Sequence, residues 1–272
     1  MKGPSRTAWG VAVHRAAHQT LESGNIFADP FARAILGPDA DDHIARKSDE
    51  RTMRLFVCIR ARFAEDSLAA AHGRGVRQAV VLGAGLDTFA LRNPFPDLAV
   101  FEVDHPGTQD WKRRQLARIG AALPGRLRFA PVDFECEELA DGLARAGFDA
   151  HVPAFFIWLG VVPYLTRTAI LSTLDFIAAI PQGEVVFDYP EPLRNYPVAE
   201  QPRIRALAAR VAALGEPFLS DFDPPDLHRL LRAKGFDEIE DLGSRQFAIR
   251  YFDRPEGPDK PGGHVLRARR TR

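Results

Sequence analysis

The stretch Gln78-Ala-Val-Val-Leu-Gly-Ala-Gly-Leu-Asp-Thr-Phe-Ala-Leu-Arg92, followed by Ala99-Val-Phe-Glu-Val-Asp104, constrains the fold more than any other part of the chain. Residues 79–82 form a short apolar run with the length and β-branched content of a buried strand, and the run stops at Gly83-Ala84-Gly85. The order is strand, glycine turn, helix. Glycines reach backbone angles closed to residues with a Cβ, and they let a ligand approach the main chain. A second apolar run, 100–103, ends among two acids, Glu102 and Asp104, with Asp104 nineteen residues beyond Gly85. An acid at the end of the second strand accepts hydrogen bonds from ribose hydroxyls, so this is the layout of a nucleoside site on a parallel sheet. A tight turn with no ligand is the plain alternative for the glycine pair alone. A dinucleotide fingerprint would carry a third glycine where Thr88 stands, which disfavours a phosphate cradle.

The rest of the chain agrees with an α/β reading. Residues 1–75 read as helical: 8–21 carries Trp9, Val13, Ala16 and Ala17 in a stripe, Asp29-Pro30-Phe31 opens a helix to Leu36, and 51–72 forms a third. From Val76 short apolar runs alternate with helical stretches, the rhythm of βαβ units. Strands are expected at 127–132, 152–159 and 184–188, with helices at 106–119, 137–146 and 166–180. Beyond Tyr189-Pro-Glu-Pro192, helices are expected at 198–214 and after Asp223, which would cap. Residues 236–242 and 246–252 read as the last two strands, a hairpin, and the proline-, glycine- and arginine-rich tail from Arg254 as mobile at its end. The expected domains are an N-terminal helical cap, 1–75, and a core, 76–272, with a helical insertion at about 190–225.

With 272 residues, 46% hydrophobic and 26% charged, the chain can bury a substantial core. Lysine plus arginine equals aspartate plus glutamate at 36 each, so nothing marks a polyanionic partner, and neither nucleic acid nor membrane is expected. Two cysteines, Cys58 and Cys136, make no disulfide framework, and no ligand spacing suggests a metal. No signal-peptide core and no membrane-length apolar run are present, which gives an expected cytoplasmic location. Arginine outnumbers lysine 31 to 5, as in proteins of GC-rich bacterial genomes.

Leu82-Gly-Ala-Gly-Leu-Asp-Thr88, Phe101-Glu-Val-Asp-His-Pro106 and Gly160-Val-Val-Pro-Tyr-Leu-Thr166, in this order, resemble the leucine carboxyl methyltransferase family, which includes bacterial polyketide O-methyltransferase relatives. The resemblance runs from about Thr7 to Phe252. It implies a Rossmann-like class I methyltransferase, an α/β fold with a mostly parallel seven-stranded sheet flanked by helices, and S-adenosylmethionine as cofactor. Ligands of such sheets sit at the carboxyl ends of the strands. The cofactor-binding residues expected there are Gly83, Ala84, Gly85, Asp87, Glu102, Asp104, Asp133, Phe134 and Leu159, with Phe134 stacking on the adenine. By resemblance, Arg60 holds the methionine carboxylate, a task suited to a guanidinium fork, with Arg62 as the nearby competitor.

Two departures from the family stand out. Leu159, in Ile157-Trp-Leu-Gly-Val161, replaces the glutamate of the leucine carboxyl type, which leans the substrate towards small molecules, and Phe89 stands where relatives often have arginine. The expected reaction is methyl transfer to a carboxylate or hydroxyl oxygen of a small-molecule acceptor, polyketide-like or another secondary metabolite, with Tyr164 as a wall of the acceptor pocket. A carboxylate acceptor needs no base, whereas a phenol would benefit from one. His14, His18, His105 and His151 are candidates without an assignment. A catalytically inactive S-adenosylmethionine-binding regulator and a nicotinamide-dependent oxidoreductase are the alternatives, and a homodimer is compatible with the sequence.

Overall fold

The computed structural model describes residues 5–133, 137–254 and 258–271, and the chain forms two compact units, Met1–Ala150 and His151–Arg272. The first unit opens with helices α1 (Arg6–Leu21), α2 (Ala32–Leu36), α3 (Ala40–Arg46) and α4 (Arg51–Gly73). Ser5 caps α1 by accepting from the Ala8 N–H at 3.0 Å. The stripe Ala12, Val13, Ala16 and Ala17 is buried against Ile35, Leu36 and Ile44 of the next two helices. α3 was not expected: it is short and charged, and only Ala40 and Ile44 are buried, too few to show a period.

Then follow β1 (Gln78–Leu82), α5 (Phe89–Arg92), β2 (Ala99–Asp104), α6 (Pro106–Arg118), β3 (Leu127–Pro131) and α7 (Leu139–Arg145). The three strands pair in parallel in the order β3-β2-β1, with Leu82 beside Val103 and Val103 beside Ala130. β1 is buried at every residue, as a parallel strand covered on both faces is. The helix expected directly after the glycine turn is a single turn, α5, set off by three residues.

The second unit contains β4 (Ala154–Trp158), α8 (Arg167–Ala179), β5 (Glu184–Pro190), α9 (Gln201–Ala212), α10 (Pro224–Ala233), β6 (Glu238–Leu242), α11 (Ser244–Phe252) and β7 (Gly263–Arg269). Its strand order is β4-β5-β7-β6, with β4 parallel to β5 and β7 antiparallel to both neighbours. Seven strands, mostly parallel, thus make the mixed α/β sheet that the sequence implied.

Two C-terminal expectations are corrected. Residues 246–252 are helical, not a strand: Phe247 and Tyr251 lie one turn apart, and the Gln246 side chain accepts from the Gly243 N–H at 3.2 Å to cap α11. The true partner strand is β7, inside the tail, where no strand was expected. Val265, Leu266 and Ala268 are buried, while the intervening arginines meet acids on both neighbouring strands, Arg267 with Glu184 and Glu240, Arg269 with Glu184 and Glu238. Asp223 makes no side-chain cap on α10; its carboxylate accepts from Asn195 at 3.2 Å instead.

Candidate functional site

The turn after β1 is built by backbone angles. Gly83 and Gly85 have φ of +63° and +45°, which favour glycine. The Ala84 N–H donates to the Val103 carbonyl at 3.0 Å, and the Gly85 N–H donates to Asp104 Oδ2 at 2.5 Å, so the end of β2 holds the turn that follows β1. Asp104 Oδ1 accepts from the His105 N–H at 2.7 Å, and Thr108 adds a side-chain bond. A carboxylate has about four acceptor positions, so one remains for a ribose hydroxyl. Burial pushes the Asp104 carboxyl above its ordinary range although the two backbone donors favour its charge. α1 passes directly over the turn: a Cβ built on Gly85 would lie 3.1 Å from the Ala8 methyl.

Asp87 and Glu102 have other occupations. Asp87 accepts from the Phe89 N–H at 2.6 Å and meets Arg15 Nη1 at 3.3 Å. Burial opposes its charge, but Arg15, Lys112 and Arg92 outweigh that and hold its carboxyl below the ordinary range. The expected ligand role of Glu102 does not fit its placement. Glu102 is 1% exposed, its carboxylate accepts from Lys112 Nζ at 2.6 Å, and both side chains are enclosed. Burial pushes it up, more than Lys112 pulls it down.

Sequence reasoning missed a buried ionic network behind the turn. Arg15 Nη2 donates to the Leu86 carbonyl at 2.5 Å and Arg15 Nε meets Asp29 Oδ2 at 3.3 Å. Thr88 Oγ1 donates to Asp29 at 2.7 Å, and Arg92 donates to Thr88 at 3.1 Å and to both Glu65 oxygens at 3.0 and 2.7 Å. Asp29 therefore serves the glycine turn rather than opening α2, although it also accepts from the Phe31 N–H at 3.1 Å. The available signal was a lone arginine, Arg15, inside the apolar face of α1.

Asp133 stands just past β3, its carboxylate 3.8 Å from His105 Nε2, and Phe134 and Cys136 lie outside the described residues. Arg60 is 6% exposed in α4, its guanidinium carbon 5.7 Å from the Phe56 ring centroid. The competitor Arg62 is 52% exposed and paired with Asp66 at 2.9 Å, the arrangement of a surface residue. His14 and His18 are buried beside Glu50 and Glu22, at 3.4 and 3.2 Å; burial lowers His14 to about 4 and His18 below its ordinary value. Cys58 is buried, which raises its thiol to about 12.

In the second unit, Leu159 and Gly160 follow β4, and the Gly160 N–H, at φ +72°, donates to Asp188 Oδ1 of β5 at 2.5 Å. Tyr164 is half-buried with its ring 5.5 Å from Phe218. At the carboxyl ends of β5 and β6, a polar cavity of about 370 Å³ is lined by Glu191, His228, Asp241 and His264 among others. Asp241 accepts from Tyr189 Oη at 2.5 Å and pairs with His228 Nε2 at 2.8 Å and His264 Nδ1 at 3.0 Å, while His264 Nε2 meets Glu191 at 3.1 Å. Among the described residues, no group of three or more histidines, cysteines or acids is arranged to hold a metal ion.

Against known proteins, the family model of leucine carboxyl methyltransferases matches residues 8–178. A Bacillus subtilis protein is 37% identical over 180 residues, 62% of this chain and 59% of its own length. A Mycolicibacterium paratuberculosis protein is 33% identical over 258 residues, 87% of this chain and 78% of its own. Both are described as candidate S-adenosyl-L-methionine-dependent methyltransferases. Among solved structures, a DUF574-family protein of Streptomyces avermitilis superposes with a TM-score of 0.60 at 14% identity, covering 98% of each chain. A candidate O-methyltransferase of Nostoc punctiforme reaches 0.51 at 11% identity, covering 97% of this chain and 72% of its own, and at such identities the likeness is one of fold.

Proposed function

Because the chain belongs to the leucine carboxyl methyltransferase family, a family of S-adenosylmethionine-dependent methyltransferases, we propose that it transfers a methyl group to an oxygen of a small-molecule acceptor. The observation that carries the cofactor assignment is the tie between Gly85 N–H and Asp104, which anchors a carboxylate beside the glycine turn. In this reading Gly83, Ala84 and Gly85 let the cofactor approach the main chain, and Asp104 accepts from its ribose. Asp133 and Phe134 flank the adenine, and Arg60 holds the methionine carboxylate. Asp87 supports the turn through Arg15. Glu102 is left out.

The bound cofactor supplies an electrophilic methyl on a sulfonium. The chain's own residues have to orient the acceptor oxygen in line with it and exclude water, because alignment is the main demand of such a displacement. Tyr164, after β4, is the residue assigned to the acceptor side. Leu159 supports a small molecule, since the resemblance places a glutamate there in the leucine carboxyl type. A carboxylate acceptor would be ionised without help.

Calorimetric titration of the purified protein with S-adenosylmethionine, S-adenosylhomocysteine and NAD tests the reading. The adenosyl sulfur ligands are expected to bind and NAD not to. Asp104→Ala and Arg60→Ala should each weaken binding by about 10- to 100-fold, the size of a hydrogen bond to a charged group. A folded protein that binds neither adenosyl ligand would overturn the assignment, and binding without turnover on any acceptor would favour a regulator.

A further inference from the structure

The cavity of about 370 Å³ in the second unit has no part in the methyltransferase reading, and its volume falls among those of small-molecule sites. Its floor is a fixed ionic cluster. Asp241 accepts from Tyr189, His228 and His264, and Glu191 accepts from His264, Gly262 and Asn195. A carboxylate has about four acceptor positions, so one is left on each. His264 spends both ring nitrogens on the two carboxylates, which makes it an imidazolium with nothing further to donate. The side chains of Asp241 and Glu191 are only 7% and 11% exposed.

His228 adds an acceptor of a different kind. Burial opposes the charge of Asp241, but His264, Tyr189 and His228 outweigh it and hold its carboxyl below the ordinary range. Asp241 can then only accept, so the hydrogen it shares with His228 sits on Nε2. Nδ1 of the neutral ring keeps its lone pair and has no partner among the described residues. Asn195 gives its amide hydrogens to Glu191 and Asp223, which leaves its Oδ1 open. At the exposed mouth, Asp259 Oδ1 accepts from Ser244 and the Arg245 N–H, while Oδ2 has no partner among the described residues. The open donors are Lys260 Nζ and the Gln246 amide nitrogen. Open acceptors therefore outnumber open donors, and the carboxylates of Glu191, Asp241 and Asp259 outnumber the cations of Lys260 and His264.

We propose that this cavity binds a small organic cation rich in N–H donors, an alkylguanidinium or alkylammonium compound. Its charged head meets Asp241, Glu191 and His228 Nδ1, and its alkyl part lies against Pro224 and Pro261, which also line the cavity. A guanidinium suits the set better than an ammonium, because its planar fork presents more donors in fixed directions. The site is independent of the methyltransferase reading, since every residue in it belongs to His151–Arg272 and none is assigned to the cofactor. A metal ion is the competing occupant. His264 has no nitrogen to offer it, and among the described residues no group of three such side chains is arranged to hold one.

The test is calorimetric titration of the full chain at about pH 7.5, above the ordinary imidazole value, with ethylguanidinium, ethylammonium, tetramethylammonium, glycerol and acetate. Ethylguanidinium should bind most tightly and ethylammonium next. Tetramethylammonium, a cation without N–H, glycerol, a neutral donor, and acetate should each bind at least about tenfold more weakly than ethylguanidinium, the worth of one hydrogen bond to a charged group. His228→Leu should weaken ethylguanidinium at least about tenfold. Asp259→Asn, which keeps Oδ1 and its two bonds, should weaken it about two- to fivefold, and Lys260→Ala, which removes a like charge, should strengthen it by a similar factor. Binding of none of the probes, tetramethylammonium or acetate binding as well as ethylguanidinium, or an affinity unmoved by all three substitutions would overturn the proposal. Displacement of ethylguanidinium by Zn²⁺ at lower concentration, abolished by His228→Leu, would overturn it in favour of a metal site.

Discussion

Glu102 and Asp104 are two residues apart on one strand and do different work. Asp104 sits at the strand end, where backbone donors of the turn reach it, and Glu102 is drawn into the interior by Lys112. Removing one member of a buried pair leaves the other charge uncompensated, so Lys112→Ala should cost about 3–5 kcal/mol in urea unfolding at pH 7. Gln109, whose amide donates to the Glu102 carbonyl at 2.6 Å, is expected to stay in place. His14 gives a second residue-scale prediction. Burial holds its folded pKa at about 4, below the unfolded value, so the native state resists its protonation. Stability from this residue is full above pH 6.5 and falls as the pH drops towards 4, by up to about 3 kcal/mol. His14→Gln should flatten that acid limb in urea midpoints measured at pH 7 and 4.5. Neither Lys112 nor the role of Arg15 could be read from the sequence, because a charged residue in an apolar stripe shows that a partner is needed without showing which.

At the scale of elements, the legible parts were those whose signal is local. β1, β2, α4 and α8 appear within one or two residues of where their apolar runs, caps and glycines put them, and Thr166 caps α8 by accepting from the Ala169 N–H at 3.2 Å. β7 was hidden because its proline- and glycine-rich approach and its arginines read as a solvated tail, and its partners lie far back in the chain. His264, at the start of β7, has Asp241 of β6 on one ring nitrogen, Glu191 after β5 on the other, and Tyr189 stacked at 5.0 Å. Burial disfavours its charge, but the two carboxylates outweigh burial and raise its pKa. The stabilisation is present below the unfolded value near 6.5 and is lost as the pH rises through the raised folded value. His264→Gln should therefore lower the thermal midpoint more at pH 6 than at pH 9, and a loss equal at both would refute the bridge. Gly243 permits this approach, since a Cβ there would lie 2.9 Å from His264 Cε1.

For the whole molecule, cofactor binding and folding are linked. A ligand at 100 times its dissociation constant adds about 2.7 kcal/mol to the state that binds it. In a chain of this size S-adenosylhomocysteine should raise the unfolding midpoint by roughly 5–10 °C in differential scanning calorimetry, and NAD should not. Two compact units make a second transition admissible, and the ligand should then move the one belonging to Met1–Ala150. The sequence by itself determined the βαβ rhythm, the glycine turn, the acid at the end of β2 and the resemblance of three ordered motifs, because each is written in residues close together in the chain. Only the tertiary structure decided that Asp104 rather than Glu102 is presented beside the turn, that Asp29 reaches across 59 residues to Thr88, and that the tail supplies a strand between β5 and β6. Burial and pairing between distant residues are properties of the packed chain, and no local pattern of residue types encodes which partners will meet.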